Sequence, residues 1–157
     1  MPLVDDGDII RALGFVTLNA AYLEEAIEAC VDLLAVQDLA PPRRIERLPI
    51  SEQTAYMKRR LAAYGVLPDE LAHMPASLDA IDGLFRERND FIHGRIYGNL
   101  EGLPDRLLRG RGRAPDREIT SAELISLAND FIAFIPGLNA ASMFALPRVF
   151  ARGYAAP

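Results

Sequence analysis

The chain has 157 residues with a formal net charge of −5, and half of its residues are hydrophobic. This length suits a single domain with a buried core, residues 1–157, and the acidic balance argues against a surface that coats nucleic acid throughout. A single cysteine, Cys30, excludes an internal disulfide and a cysteine-rich metal site, as is typical of proteins in a reducing cytosol.

Helical periodicity begins close to the N-terminus, where the first residues are acidic and lack the basic start of a signal peptide. From Asp8 to Leu39, apolar residues recur on one helix face at about 100° per residue, and prolines at positions 41–42 end the pattern. A second helix is predicted from Ser51, its N-cap, to Tyr64, before a glycine that closes it.

The middle of the chain predicts two more helices and a change of composition. A short helix is expected over residues 68–74, and Ser77 is expected to cap a longer one that ends near Gly94 in a left-handed conformation. Residues 95–118 are rich in Gly, Pro and Arg. They predict a long irregular loop, or a small hairpin formed by the apolar pairs at 96–97 and 107–108.

The last helix has a clear start, because Thr120 and Glu123 form a capping box. Pro136 is expected to kink or break it before residues 138–146, and residues 147–157 are expected to fray. The predicted fold class is therefore all-α: an antiparallel bundle of four main helices, with an irregular Arg/Gly-rich loop or small hairpin between the last two.

Several functional classes lack their signatures. The second histidine, His73, lies far from His93 in the sequence, and no metal-binding spacing links them. The chain has no phosphate-binding glycine loop and no nucleophile elbow, so we expect neither a metal nor another cofactor. The apolar stretch of residues 131–135 falls short of the roughly 20 residues of a membrane helix. We expect a cytoplasmic protein that does not bind membranes.

The helix that ends near Gly94 carries a charge within its apolar face. Arg88 falls in the middle of the arc that holds the apolar residues of this helix. An unpaired guanidinium there costs several kcal/mol, so it needs a partner, for which Asn19 and Glu24 of the first helix are candidates. Arg88 is either a buried strut between two helices or an anion-binding group in a wet groove.

Asn89 and His93 lie four residues apart and therefore one above the other on this helix, at the border of its apolar face. Histidine can exchange a proton near neutral pH, so the group could combine phosphate binding with proton transfer. The structural alternative is that His93 complements the dipole at the end of its helix.

Arg88, Asn89 and His93, with four residues between the Arg and the His, resemble the signature of the HEPN superfamily of small helical-bundle proteins. The long acidic first helix and the late motif helix are similar as well. The resemblance implies a homodimer whose motif helices face one cleft, and a metal-independent endoribonuclease without cofactors. By this resemblance, His93 would transfer protons and Arg88 would stabilise the charge on the phosphate. Asn89 would orient the phosphate or the His.

The resemblance also bears on partners. In one toxin branch of the superfamily, a Tyr two residues after the His is modified by a nucleotidyltransferase antitoxin; here Arg95 holds that position and the nearest Tyr is Tyr97, so regulation by that modification is not expected. We expect a toxin or defence effector, with an antitoxin or regulatory protein as partner. Arginines within residues 95–118 are expected to contact RNA: Arg95, Arg106, Arg109, Arg111 and Arg113.

Other interpretations of the same residues remain. Arginines in a Gly-rich segment are also typical of a solvated loop. The motif could belong to a non-catalytic RNA-binding or dimerisation module, in which it forms a buried hydrogen-bond network. The interior of the bundle could serve a small-molecule sensor.

Overall fold

The computed structural model describes residues 3–65, 67–97, 105–108 and 117–151, with the backbone alone at positions 46, 95, 97 and 108. The helices are α1 (Ile9–Val36), α2 (Ile50–Ala63), α3 (Asp69–Ala72), α4 (Met74–Ile92), α5 (Ser121–Ala140) and α6 (Leu146–Ala151). The strands are β1 (Arg95–Tyr97), β2 (Arg106–Leu108) and β3 (Arg117–Glu118). The prediction of an all-α helical bundle with four main helices, α1, α2, α4 and α5, is confirmed.

The chain divides into two compact units. The first comprises Met1–Ala21 and Gly83–Ile132, and so contains the start of α1, the end of α4, the strands and the start of α5. The second comprises Tyr22–Asp82 and Ala133–Pro157. The single domain expected from the chain length stays a prediction.

The start of α1 agrees with its sequence signals. The Asp8 side chain accepts a hydrogen bond from the Arg11 amide at 3.0 Å, which satisfies one of the amides left free in the first turn. One helix face then becomes the core of the first unit, with Ala12, Val16 and Ala20 almost fully buried. The alternation of polar and apolar residues at helical spacing thus identifies the buried face correctly.

The start of α4 differs from the prediction. Ser77 does not cap the helix; it lies inside the first turn, where its amide and its hydroxyl both donate to the His73 carbonyl, at 3.1 and 3.3 Å. The helix starts at Met74 because Pro75 occupies the first turn, where a missing amide proton costs nothing and the fixed φ suits a helix. Helix α2 likewise starts before Ser51, with Pro49 at its N-cap.

One of the two hydrogen bonds of the predicted capping box at the start of α5 is confirmed. The Glu123 amide donates to Thr120 Oγ1 at 3.1 Å. Beyond it, the helix continues through Pro136 to Ala140, so it does not break there as one alternative predicted. It then widens into a π-helical segment, Ala141–Ala145, before α6.

The small hairpin predicted as one alternative for residues 95–118 is confirmed. Strands β1 and β2 pair antiparallel, with Ile96 opposite Leu107. The third strand, β3, pairs with β2 and was not predicted; it places Arg117 opposite Leu107. Because residues that face each other in adjacent strands share one side of a sheet, these three residues lie on the same side, where Leu107 is fully buried.

Two predictions about helix ends need correction. The glycines with positive φ in the described chain are Gly7 and Gly65, so Gly94 does not adopt the left-handed conformation expected of it. Two residues, His93 and Gly94, lead from the end of α4 at Ile92 into the extended strand β1. The tail expected to fray begins instead with α6, Leu146–Ala151, and its last residues, 152–157, lie outside the described part.

In the second unit, helices α2 and α4 run antiparallel and share a polar contact. Thr54 Oγ1 donates to Asp82 Oδ1 at 2.6 Å, and Lys58 Nζ lies 2.7 Å from Asp79 Oδ1 and 3.3 Å from Asp82 Oδ2. Asp82 is buried, and these two partners satisfy its carboxylate. The contact therefore fixes the register between the two helices.

Candidate functional site

Aromatic packing holds the C-terminal half of the motif helix α4 in the first unit. Phe85 packs edge-on against Phe131 of α5, with ring centroids 5.2 Å apart and an interplanar angle of 77°. Phe91, the penultimate residue of α4, is almost fully buried. The geometry of the Phe pair is the one that the charge distribution of aromatic rings favours. The buried face of α4 thus fixes which side chains of its last two turns remain accessible.

Arg88 lies between these two anchors and is half-buried. Its Nη1 donates to Asn89 Oδ1 at 3.0 Å, whereas its Nε is buried without a hydrogen-bond partner in the described structure. No carboxylate among the described residues forms an ion pair with it. The stem of the side chain is therefore covered while part of the guanidinium faces solvent, as long basic side chains often arrange themselves.

Asn89 and His93 are both exposed on the same stretch of helix. The His93 amide donates to the Asn89 carbonyl at 3.0 Å, so the helical hydrogen-bond pattern reaches one residue beyond α4. This bond keeps the two side chains one turn apart on one face. The structure thus brings Arg88, Asn89 and His93 together at one accessible end of α4, and Asn89 is the residue that touches Arg88.

The prediction that Asn19 or Glu24 pairs with Arg88 is wrong. Asn19 is buried, and its Nδ2 donates to the Ala128 carbonyl of α5 at 3.0 Å. It therefore ties α1 to α5 and does not contact the motif. Arg88 also has no ion pair with Glu24 or any other described acid. The side chain of Arg88 is long enough to carry its charge to the rim of the apolar face, which removes the need for a buried acid.

Arg117 is a residue of this site that the sequence did not single out. Its guanidinium carbon lies 5.1 Å from the centroid of the Phe91 ring, and its Nη1 lies 2.6 Å from Glu123 Oε1. The same Nη1 donates to the Glu118 carbonyl at 3.3 Å. Arg117 thus joins β3 and the first turn of α5 to the end of the motif helix. Because this contact depends on strand register, the sequence holds no local signal for it.

The arginines expected to contact RNA are only partly placed. Arg95 lies on β1, directly after the motif, and Arg106 lies on β2 with an exposed side chain. The strand pairing aligns Tyr97 with Arg106 and Arg106 with Glu118. The remaining three, Arg109, Arg111 and Arg113, lie outside the described residues. Contact of these arginines with RNA remains a prediction.

Two observations concern metal binding and membrane spanning, neither of which the sequence predicts. In the described ranges, no group of three or more His, Cys, Asp and Glu side chains could hold a metal ion. One described segment, Ser121–Ala151, is long and apolar enough to cross a membrane by length and composition, a criterion that the core helix of a soluble protein also meets. The expectation of a cytoplasmic protein stays a prediction.

The chain was compared with known proteins in three ways. Protein-family models, curated proteins and solved structures gave no match. The all-α fold and the arrangement at the end of α4 therefore stand on the structure alone, and kinship with the HEPN superfamily remains a proposal.

Proposed function

We propose that the protein is a metal-independent endoribonuclease of the HEPN type, with Arg88, Asn89 and His93 as its catalytic residues. The observation that carries this proposal is that Arg88 has no carboxylate partner among the described residues. Its guanidinium is oriented by a neutral amide, has an unpartnered donor and lies within five residues of an exposed histidine. A cation that no described carboxylate neutralises is suited to bind a phosphate, because its charge is available to the phosphate oxygens.

The chemistry follows from these groups. A general base removes the proton of a ribose 2′-hydroxyl, and the oxygen attacks the adjacent phosphorus. The bond from phosphorus to the 5′-oxygen breaks, and a general acid protonates that leaving oxygen. The products are a 2′,3′-cyclic phosphate and a 5′-hydroxyl, with no net uptake of water. Arg88 stabilises the negative charge on the phosphate oxygens, and Asn89 holds the guanidinium in place.

Base and acid need two proton-transfer groups, and the motif offers one histidine in each chain. A homodimer in which two motif helices line one cleft supplies the second His93. Arg95, Arg106 and the arginines at 109, 111 and 113 would then bind the RNA backbone, and such binding should weaken as salt rises. A toxin or defence effector controlled by an antitoxin or regulatory protein is the biological role that this activity suggests.

Cleavage of a labelled mixed-sequence RNA in EDTA tests the proposal. The wild type is compared with His93→Ala, Arg88→Met and, as a matched control for Arg88→Met, Arg59→Met, which removes an exposed arginine of α2 outside the motif. We expect cleavage by the wild type and by Arg59→Met over about pH 5 to 9, and losses of roughly a hundredfold or more in the two motif variants.

The oligomeric state is measured in parallel by sedimentation. Equal cleavage by His93→Ala and the wild type would disprove the assignment of His93. Absence of cleavage in all samples, together with a folded dimer that binds RNA, would favour the non-catalytic module. In that module the contact of Arg88 with Asn89 would serve binding alone.

A further inference from the structure

A cavity of about 240 Å³ in the second unit is lined by none of the residues of the proposed reaction. Its apolar walls are Met74, Phe134 and Leu138, and its polar groups are His73 and Ser77. No Asp, Glu, Lys or Arg side chain lines it. An apolar cavity of about 150 Å³ can hold a benzene ring, so this one has room for a larger ring system. This lining favours an uncharged ligand.

The polar groups specify the edge of that ligand. Ser77 Oγ donates its proton to the His73 carbonyl at 3.3 Å, so the oxygen remains an acceptor for a donor on the ligand. The imidazole of His73, which is exposed, can both donate and accept. A ring with donors and acceptors along its edge and an apolar face matches these groups, and nucleobases have this combination. Phenylalanine and histidine are also side chains on which bases stack.

Gly137 keeps the cavity open. It lies inside α5 with an ordinary φ, and no heavy atom is within 4 Å of the position that a Cβ would occupy. Neither backbone conformation nor packing therefore requires a glycine here, although it costs the helix about 1 kcal/mol relative to alanine. A larger side chain at this position would extend into the cavity without a clash.

We propose that this cavity binds an uncharged heteroaromatic ring of nucleobase size, with Phe134 against its face and Ser77 and His73 at its edge. Such a ring can come from a free nucleoside or from an unstacked base of single-stranded RNA. In the second case the cavity is a base-binding subsite, and that part of the inference rests on the proposed function.

The test uses 2-aminopurine, whose fluorescence is quenched by stacking, as the riboside and within a short single-stranded RNA. Both probes are titrated onto the full chain carrying His93→Ala, so that binding is measured without cleavage. Gly137→Leu fills the cavity. Gly83→Leu is the matched control, because Gly83 is a second glycine inside a helix whose Cβ position is open, and it does not line the cavity.

We expect saturable quenching of the riboside or of the RNA probe, weaker by roughly tenfold or more in Gly137→Leu and unchanged in Gly83→Leu. Ser77→Ala should weaken binding by roughly fivefold. Circular dichroism checks that each variant folds. If Gly137→Leu does not fold, Gly137→Ala, which adds only one methyl group, replaces it.

The two probes separate the sources of the ring, since binding of the riboside identifies a free ligand and binding of the RNA alone identifies a strand. Absence of saturable quenching with both probes overturns the proposal, as does equal affinity of Gly137→Leu and the wild type. Failure of RNA cleavage by the unmodified chain, by contrast, leaves this result unaffected.

Discussion

Replacement of Arg117 by methionine tests how the motif helix is held. Arg117→Met keeps the apolar stem and removes the ion pair with Glu123 and the cation–π contact with Phe91. The two side chains of the ion pair are 31% and 33% exposed, so screening limits the pair to about 0.5–1 kcal/mol. The cation–π contact adds about 1 kcal/mol, and removal of the buried, unpartnered Nε offsets part of the loss. We expect the free energy of unfolding to fall by about 1–2 kcal/mol.

Urea unfolding of Arg117→Met, Glu123→Gln and the double variant forms a mutant cycle. We expect a coupling energy of about 0.5–1 kcal/mol between the two side chains. Arg59→Met is the matched control, because Arg59 is an exposed helical arginine without an ion pair in the described structure; it should change stability by less than about 0.5 kcal/mol. Additive effects within error, or an equal loss in Arg59→Met, would refute the role of Arg117.

Three further predictions concern buried polar groups. Asn19→Ala should lower the unfolding free energy by about 0.5–1.5 kcal/mol in urea, because the buried hydrogen bond from Asn19 to the Ala128 carbonyl is lost while that carbonyl keeps its bond within α5; an unchanged midpoint would argue against this bond. Burial raises the pKa of Cys30 to about 12, so a thiol reagent near neutral pH should modify it only after unfolding, and rapid reaction of the native chain would contradict its burial. Burial, and then the hydrogen bond to Asp38, raise the pKa of Tyr56 to about 12. Because the protonated form favours the folded state, stability should be intact below about pH 10 and fall as pH rises towards 12. Tyr56→Phe should lessen that fall, and an identical pH profile in the variant would exclude Tyr56 as its cause.

The sequence by itself determined most of the helices, since their signals are local. Helical spacing of apolar residues places α1 and its buried face, and the Thr120 capping box places the start of α5. The start of α4 also depends on a local signal, because Pro75 in the first turn sets it more strongly than Ser77, the predicted cap. The continuation of α5 through Pro136 could not be predicted from a local signal. Tertiary packing can outweigh the helix propensity of a single residue.

Part of the candidate site also follows from local sequence, and part of it only from the tertiary structure. Arg88, Asn89 and His93 follow from spacing along one helix, which a sequence shows directly. Their surroundings depend on residues far apart in the chain: Asn19 pairs with Ala128 and leaves Arg88 without the partner expected for it. Strand register also brings Arg117 onto Phe91. Only the tertiary structure decided these contacts, because long-range hydrogen bonds and strand pairing depend on how the whole chain packs rather than on neighbouring residues.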